Sequence, residues 1–306
     1  APLRCLVRIF SLLPYGGHMR FALVDGQRRT AEKGLIGICP ACGGPVLAKC
    51  GEKKSHHWAH KRQCSDTWAT GKETDWHLGW KNCFPEAWQE RILKDVQSGE
   101  KHIADILTEH NLVLEFQHSP IDPEERRARE YFYSQGGRRM AWVVDCTQHQ
   151  RDLKRCKSYI EDYHINISRP SIVSSPDEFF PSKWIPISFV PIVLDIGWFL
   201  DIHDNNGVCY YVMPCLFVFK FEEKYYCGCK LFFKDEFIEL AKDGKLLCEI
   251  ESNIKFLIGT IKARRAASRM SYRLGYYLVD SRRYPYIKKS YRGNGRRKIG
   301  GRSRRR

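Results

Sequence analysis

Two carboxylates in the segment 101–119, KHIADILTEHNLVLEFQHS, have a spacing that suggests metal chemistry. The segment predicts two mostly apolar strands that fold back on each other across a turn at 109–111. Centred there, the turn makes Asp105 and Glu115 cross-strand partners on one face, ~5 Å apart. Period-two alternation places Gln117 on the same face. Both faces are otherwise mostly apolar, so we expect the two carboxylates to be buried.

Two adjacent like charges on an apolar face need a compensating positive charge. Hard cations such as Mg²⁺ or Mn²⁺ take carboxylate oxygens, and a water polarised by such an ion can hydrolyse a phosphodiester. The alternative is an ordinary buried ion pair with a neighbouring Lys or Arg. The spacing of the carboxylates leaves both interpretations open.

A second polar set precedes the hairpin, in a predicted helix that begins at Glu73 and stops at Pro85. Glu73, His77 and Lys81 recur at every fourth position and share one helix face. Either they form a solvated face, or they face the carboxylate pair and contribute a third acid and a base. An aromatic stripe with the same spacing is predicted to pack in the core, and it consists of Trp76, Trp80 and Phe84.

Cysteines and histidines with the spacing of zinc ligands lie nearer the N-terminus. Cys39 and Cys42 flank two residues of a Pro/Gly-rich hairpin, which is typical of a zinc knuckle. The second ligand pair is predicted to be His60 with His56 or His57, with Cys50 and Cys64 as substitutes. A closed four-ligand site leaves no position for substrate, so we interpret this zinc as structural and essential to the short module 1–65.

The remaining pattern predicts an α/β core followed by a β-rich region. In residues 66–160, a helix, three strands, a second helix capped by Asp122 and a buried strand at 140–145 predict a mixed sheet. Residues 161–280 predict strand hairpins and a helix at 234–242, without a motif that assigns a role. Cys227 and Cys229 in this region are interpreted as packed thiols rather than a second metal site.

The net charge of +16 is concentrated in residues 281–306, which hold twelve Lys or Arg and no acid, against 39 basic and 35 acidic residues elsewhere. This Gly- and Arg-rich segment is predicted to be disordered and to bind nucleic acid through phosphates, although a solubilising tail is the alternative. The basic residues singled out for DNA binding are Arg282, Arg283, Lys288, Lys289, Arg296 and Arg297.

The sequence predicts a cytoplasmic protein. The first residues lack a secretory signal pattern, and the longest apolar run, 184–200, is interrupted by two prolines and an aspartate. The thirteen cysteines are therefore expected to be thiols or metal ligands, not disulfides.

Several ordered motifs resemble the competence protein CoiA-like family. They are CPAC, HHWAH, ETDWHLGWK, GEKHIADI, VLEFQHSPI, ERRAREYFY and AWVVD, and the resemblance covers about residues 15–150. It implies a PD-(D/E)XK nuclease-like mixed sheet flanked by helices, with an N-terminal zinc-ribbon-like module. The β-rich region C-terminal to this core is predicted from the strand pattern alone.

The resemblance also implies roles for individual residues. Asp105 and Glu115 are similar to the acids that hold a catalytic Mg²⁺ or Mn²⁺, and Glu73 to an acid from the first helix, with His77 and Lys81 as its companions. Arg129 and Tyr133 resemble the Arg-x3-Tyr of the helix after the sheet and are expected to contact DNA. The family's His-aromatic-Ala-His element favours His57 with His60 as the zinc pair.

Gln117 departs from the general nuclease pattern, which has a lysine there, although glutamine is usual in the resembling family. Glutamine can only hydrogen-bond, so we expect it to position the attacking water. Lys81 or Lys101 would restore the missing charge, and the sequence leaves both open.

The leading hypothesis is a metal-dependent deoxyribonuclease in competence, recombination or defence against foreign DNA, with DNA and a recombination or defence protein as partners. The alternative is a catalytically inactive nuclease-fold adaptor that binds DNA, with Gln117 as the mark of lost activity. Both carboxylates are present, and this favours the enzyme, because a decayed site has no reason to keep two like charges on an apolar face.

Overall fold

The computed structural model describes residues 18–52, 55–62, 64–66, 68, 73–96, 98–179, 184, 189–200 and 209–273. The predicted DNA-binding residues of the basic tail, from Arg282 to Arg297, lie outside the described residues. Every cysteine within the described ranges is a free thiol. No helix in these ranges is long and apolar enough to cross a membrane.

An antiparallel sheet of six strands forms the N-terminal module, in the order β1-β6-β5-β4-β2-β3. The strands are β1 (His18–Met19), β2 (Phe21–Val24), β3 (Gln27–Thr30), β4 (Ile36–Ile38), β5 (Pro45–Lys49) and β6 (His57–His60). Its small core surrounds the fully buried Trp58. Ile92 and Ile103 of the main sheet pack against this core, so the module rests on the main sheet.

The main sheet has nine strands among the described residues, in the order β11-β15-β14-β12-β10-β9-β8-β7, with β13 beside β14. They are β7 (Gln89–Lys94), β8 (Lys101–Leu107), β9 (Leu112–Gln117), β10 (Arg139–Asp145), β11 (Ser171–Val173), β12 (Ile192–Asp195), β13 (Trp198–Leu200), β14 (Cys209–Phe221) and β15 (Lys224–Phe233). Strands β9, β10 and β12 run parallel, and the other pairs are antiparallel. The strands of the β-rich region therefore continue the sheet of the core.

Helices cover both faces of the main sheet. They are α1 (Asp75–Lys81), α2 (Pro123–Ser134), α3 (Gln150–Asp162), α4 (Pro176–Phe179), α5 (Lys234–Lys242) and α6 (Leu246–Arg273). Helices α1, α5 and α6 pack on one apolar face, and α2 and α3 pack on the other. This arrangement confirms the predicted mixed α/β sheet flanked by helices.

Local signals predicted some helix ends well and others less well. Asp122 caps α2 as predicted, accepting from the backbone N–H groups of Glu124 and Glu125. Helix α1 begins at Asp75, because the Thr74 hydroxyl accepts from the His77 N–H, so Glu73 precedes the helix instead of opening it. The length of α6, 28 residues, was not predicted.

The predicted aromatic stripe of α1 is core, and a buried acid holds it in place. Trp80 is buried and Trp76 partly buried against the same core. Both indole N–H groups donate to Oδ2 of Asp195 at 2.9 Å, and the Tyr211 hydroxyl donates to Oδ1 at 2.7 Å. Strand β12 of the β-rich region therefore fixes the helix that carries His77 and Lys81.

Candidate active site

The hairpin β8–β9 has the predicted register. Leu107 pairs with Val113, which places Asp105 and Glu115 side by side two residues further from the turn. The Asp105 N–H donates to Glu115 Oε1 at 3.2 Å, and the Phe116 N–H donates to Asp105 Oδ2 at 2.9 Å. Glu115 is buried, and Asp105 is partly open to a cavity of about 260 Å³. The two carboxylates are therefore adjacent and largely withdrawn from water, as expected.

Lys81 connects the helix to this carboxylate pair. Its ammonium lies 3.1 Å from Asp105 Oδ1, 2.9 Å from Glu73 Oε1 and 3.0 Å from Glu90 Oε1. Only 6% of the Lys81 side chain is exposed. The polar stripe of the helix thus faces the carboxylates and is not a solvated face.

The charge that Gln117 cannot supply comes from Lys81 and not from Lys101. The Lys101 ammonium points to the N-terminal module, where it donates to the Ala41 carbonyl at 3.4 Å. Gln117 lines the cavity and donates from Nε2 to the Ser119 carbonyl at 2.7 Å. The lysine that contacts the carboxylate pair therefore comes from a helix and not from the strand.

Glu90 belongs to this group, although the sequence analysis assigned it no role. It is the second residue of strand β7 and has a φ of 45°, a conformation that non-glycine residues rarely adopt. Its carboxylate accepts from Lys81 and from the backbone N–H groups of Arg20 and Phe21. No sequence pattern signals this contact, since its partners come from another sheet and from a helix.

Arg129 pairs with the second carboxylate of the hairpin. Its guanidinium donates to Glu115 Oε2 at 3.1 Å, to Glu125 Oε1 at 2.6 Å and to the Trp68 carbonyl at 3.1 Å. Arg129 also lines the cavity, with its guanidinium engaged by these three protein groups.

Tyr133 was predicted to contact DNA, and the structure contradicts this. Only 1% of the residue is exposed, and its hydroxyl donates to the Ile103 carbonyl at 3.4 Å. Burial, followed by the charge of Glu115, raises the pKa of the Tyr133 hydroxyl well above its ordinary value. The ring lies beneath Glu115, so it supports the site from inside the protein.

His77 joins α1 to β9. Its Nε2–H donates to the Phe116 carbonyl at 2.8 Å, and Nδ1 lies 2.9 Å from the Thr74 hydroxyl. Burial lowers the pKa of His77, which favours the neutral ring. Both ring nitrogens are engaged, so His77 positions the helix and is poorly placed to be the predicted base.

The cavity carries more negative than positive charge. Two side-chain cations, Lys81 and Arg129, face five carboxylates, those of Glu73, Glu90, Asp105, Glu115 and Glu125. Burial, together with the neighbouring Asp105, raises the pKa of Glu115 to about 7. Burial also raises the pKa of Glu73. Burial is the largest single effect on Asp105 and acts in the same direction, but Lys81, His77 and the Phe116 N–H together outweigh it and keep the pKa of Asp105 below its usual value.

With five carboxylates and two cations, the cavity has an excess of carboxylate oxygens. Hard oxygen donors in excess are the ligand set that Mg²⁺ or Mn²⁺ takes, so the residues present fit such an ion. Each carboxylate of the hairpin also has a basic partner, Lys81 or Arg129, which is the ion-pair arrangement that the sequence left open.

A separate group of potential metal ligands lies in the N-terminal module. The ligand atoms of Cys39, Cys42, His60 and Cys64 are all within 4.8 Å of one another. Cys42 Sγ is 3.3 Å from His60 Nε2, and Cys39 Sγ is 4.0 Å from Cys64 Sγ. Sulfurs bound tetrahedrally to zinc are about 3.8 Å apart, so the group can hold a metal such as zinc with little movement.

The prediction that His57 is a zinc ligand is wrong. His57 and His60 are three residues apart on strand β6, so their side chains point to opposite faces. His57 Nδ1 instead lies 2.9 Å from the Ser55 carbonyl. Cys64, which the sequence analysis kept as a substitute, takes the fourth position. Cys227 and Cys229 lie in the apolar core, as expected of packed thiols.

Two parts of the chain are similar to domains of a known protein. Residues 37–66 match the N-terminal domain of competence protein CoiA, and residues 92–170 match its nuclease-like domain. Competence protein CoiA of Bacillus subtilis (strain 168) is 27% identical over 138 residues, which are 43% of this chain and 37% of that protein. No solved structure matches the chain.

These matches confirm the resemblance to the competence protein CoiA-like family and identify a nuclease-like domain. The matched ranges contain Asp105 and Glu115 and also the four ligands of the N-terminal group. Glu73, Lys81 and Glu90 lie between the two ranges, so their place in the site rests on the structure.

Proposed function

We propose that this CoiA-like chain is a metal-dependent deoxyribonuclease that processes DNA in competence, recombination or defence. The observation that supports the proposal best is the pair Asp105 and Glu115, adjacent on a buried hairpin at a cavity with excess negative charge. DNA is the proposed partner, held also by the basic segment 281–306.

Asp105 and Glu115 would hold Mg²⁺ or Mn²⁺. Glu73, which contacts the same Lys81 ammonium as Asp105, adds a third carboxylate to the lining of the cavity. The bound ion would polarise water and offset charge on the phosphate. Lys81 keeps Asp105 ionised and adds positive charge beside the scissile group, and Gln117 hydrogen-bonds the incoming water.

The cleavage of linear, plasmid and single-stranded DNA in Mg²⁺ or Mn²⁺ tests this function. Asp105→Asn and Glu115→Gln are expected to lower the rate at least about a hundredfold, because each removes a negative ligand oxygen. Binding of DNA without cleavage should persist in both variants, since phosphate contacts made elsewhere are unchanged.

Glu109→Gln is the matched control, because Glu109 lies in the turn of the same hairpin and is exposed. It should cleave DNA like wild type. If both Asp105→Asn and Glu115→Gln cleaved at the wild-type rate, the site assignment would be wrong.

The affinity for the divalent cation should depend on pH near neutrality. The pKa of Glu115 is raised to about 7, and a protonated carboxyl cannot ligate a cation. Affinity for Mn²⁺ is therefore expected to fall by about tenfold for each pH unit below 7 and to level off above it. Calorimetric titration of the protein with Mn²⁺ between about pH 6 and pH 8 measures this.

In the Glu115→Gln variant, the binding of Mn²⁺ should be weak and nearly independent of pH over that range. A wild-type affinity that stays constant from about pH 6 to pH 8 would show that Glu115 is not a ligand.

A non-catalytic DNA-binding adaptor is the second candidate. Gln117 and the direct ion pairs of Lys81 and Arg129 with the two carboxylates favour it, because such pairs stabilise the acids without a metal. Tight, salt-sensitive DNA binding by wild type, without turnover of any DNA substrate, would establish this alternative.

A further inference from the structure

A histidine–aspartate pair stands at the edge of the same cavity. His118 follows strand β9 directly, lines the cavity and has 27% of its side chain exposed. Its Nδ1 lies 2.7 Å from Oδ2 of Asp145, whose side chain is fully buried. The other carboxylate oxygen of Asp145 accepts from the N–H and the hydroxyl of Thr147 at 2.8 and 2.6 Å.

The register of parallel strands builds this pair. Strands β9 and β10 run parallel, with Gln117 opposite Val144, so the next residues, His118 and Asp145, emerge together at the same edge of the sheet. The rings of Trp76 and His77 on α1 flank His118 at 6.2 and 6.0 Å between ring centroids. The imidazole is thus held by a strand, a buried acid and a helix.

The buried carboxylate decides the tautomer of the imidazole. An ionised carboxylate only accepts hydrogen bonds, so Nδ1 carries the proton and Nε2 is left with a lone pair. A carboxylate in this position also stabilises the imidazolium formed when Nε2 takes up a proton. The pair therefore has the properties of a general base with its orienting acid.

Other side chains at the cavity are less suited to this task. Both nitrogens of His77 are engaged in hydrogen bonds, and an amide such as Gln117 does not accept a proton at neutral pH. Glu115 is assigned to the cation and is already bonded to Arg129. His118 lines the cavity as well, and its Nε2 lies outside the bond that Nδ1 makes with Asp145.

We infer that His118 is the general base of the proposed phosphodiester hydrolysis and that Asp145 is its positioning residue. The inference rests on the proposed function. The oxygen of water forms a bond to phosphorus while its proton passes to His118 Nε2. The bond between phosphorus and the leaving oxygen breaks, and that oxygen retains the electron pair and takes a proton from solvent. His118 then returns its proton to solvent.

His118→Ala tests the inference by loss and chemical rescue of DNA cleavage. We expect kcat to fall by about 10²–10⁴-fold and to recover partly, in proportion to concentration, on addition of imidazole. The binding of Mn²⁺ by calorimetry should be unchanged. His110→Ala, which removes an exposed histidine from the turn of the same hairpin, is the matched control and should cleave like wild type.

A second measurement does not depend on cleavage. Imidazole nitrogen chemical shifts of the metal-free protein should show His118 protonated at Nδ1, and Asp145→Asn should abolish that preference. Asp145→Asn should also lower kcat more than it changes KM, as expected for a residue that orients a base.

The outcomes separate the inference from the proposed function. Wild-type cleavage together with full activity of His118→Ala, or with a loss that imidazole does not rescue, overturns the role of His118 and leaves the nuclease intact. A His118 ring protonated at Nε2 alone also overturns it. Wild type that cleaves no DNA overturns both.

Discussion

Lys81→Met is expected to cost about 3–5 kcal/mol in the free energy of unfolding and to eliminate DNA cleavage. Methionine keeps the length of the side chain but removes the cation shared by Glu73, Glu90 and Asp105. Loss of one partner from a buried ion pair leaves an uncompensated charge, and here three carboxylates lose their partner together. Asp105 would lose its ion-pair partner, so only the bond from the Phe116 N–H would be left to orient the carboxylate proposed to hold the cation.

The stability of Lys81→Met is also expected to depend on pH, and the pKa values of the buried carboxylates give the direction of the change. Without Lys81, the buried carboxylates have pKa values above those of the unfolded chain, so the folded variant binds more protons. The stability of Lys81→Met should therefore rise as the pH is lowered from about 8 to about 5. The difference from wild type should shrink over the same interval, because Lys81 keeps the pKa of Asp105 low in wild type.

Urea unfolding followed by tryptophan fluorescence measures the change, since Trp80 is buried in the helix that carries Lys81. Lys94→Met, on the exposed side of β7, is the control for the same chemical change. Wild-type stability of Lys81→Met at about pH 8 would contradict the role given to this lysine.

Removal of zinc should unfold the N-terminal module and disable the site in the main sheet. A closed structural zinc site contributes about 10–16 kcal/mol in small zinc modules, far more than the core around Trp58 can replace. The module donates the N–H groups of Arg20 and Phe21 to Glu90, and Glu90 holds Lys81. Loss of the module thus removes two of the donors that fix Glu90.

Chelation followed by resupply of Mg²⁺ alone should leave the protein inactive, and resupply of Zn²⁺ with Mg²⁺ should restore it. Metal content and circular dichroism report the state of the module. The paired variants Cys64→Ser and Cys50→Ser test the ligand set, because only Cys64 belongs to the group in the structure. The pair His60→Ala and His57→Ala repeats the test with imidazoles, and zinc loss from His57→Ala alone would show that His57, and not His60, is the ligand.

The hairpin β8–β9 is the element that the sequence predicted best. Its alternation of side chains and its turn predicted that Asp105 and Glu115 share one face, and the register confirms it. The cap of α2 and the apolar stripe of α1 were likewise predicted from residues at most a few turns apart. Such features depend on which side chains share one face of a helix or strand, and the periodicity of the sequence predicts this directly.

The candidate metal ligands of the N-terminal module show what the spacing of residues in the sequence does not predict. Spacing identified Cys39, Cys42 and His60, but strand alternation turns His57 away and the chain after β6 brings in Cys64 instead. A spacing rule considers only the number of residues between ligands. Which residues can bind the metal also depends on the direction in which each side chain points from the backbone.

The sequence by itself therefore determined the acids of the hairpin, the mixed sheet and the cysteine knuckle. The tertiary structure decided that the Lys81 ammonium contacts Asp105, that Glu90 contacts the same ammonium and that His118 contacts Asp145. It also decided that Asp195 holds Trp76, which is 119 residues away along the chain. These contacts join elements distant in sequence, and the packing of whole helices and sheets selects them, because no local periodicity encodes which two surfaces will meet.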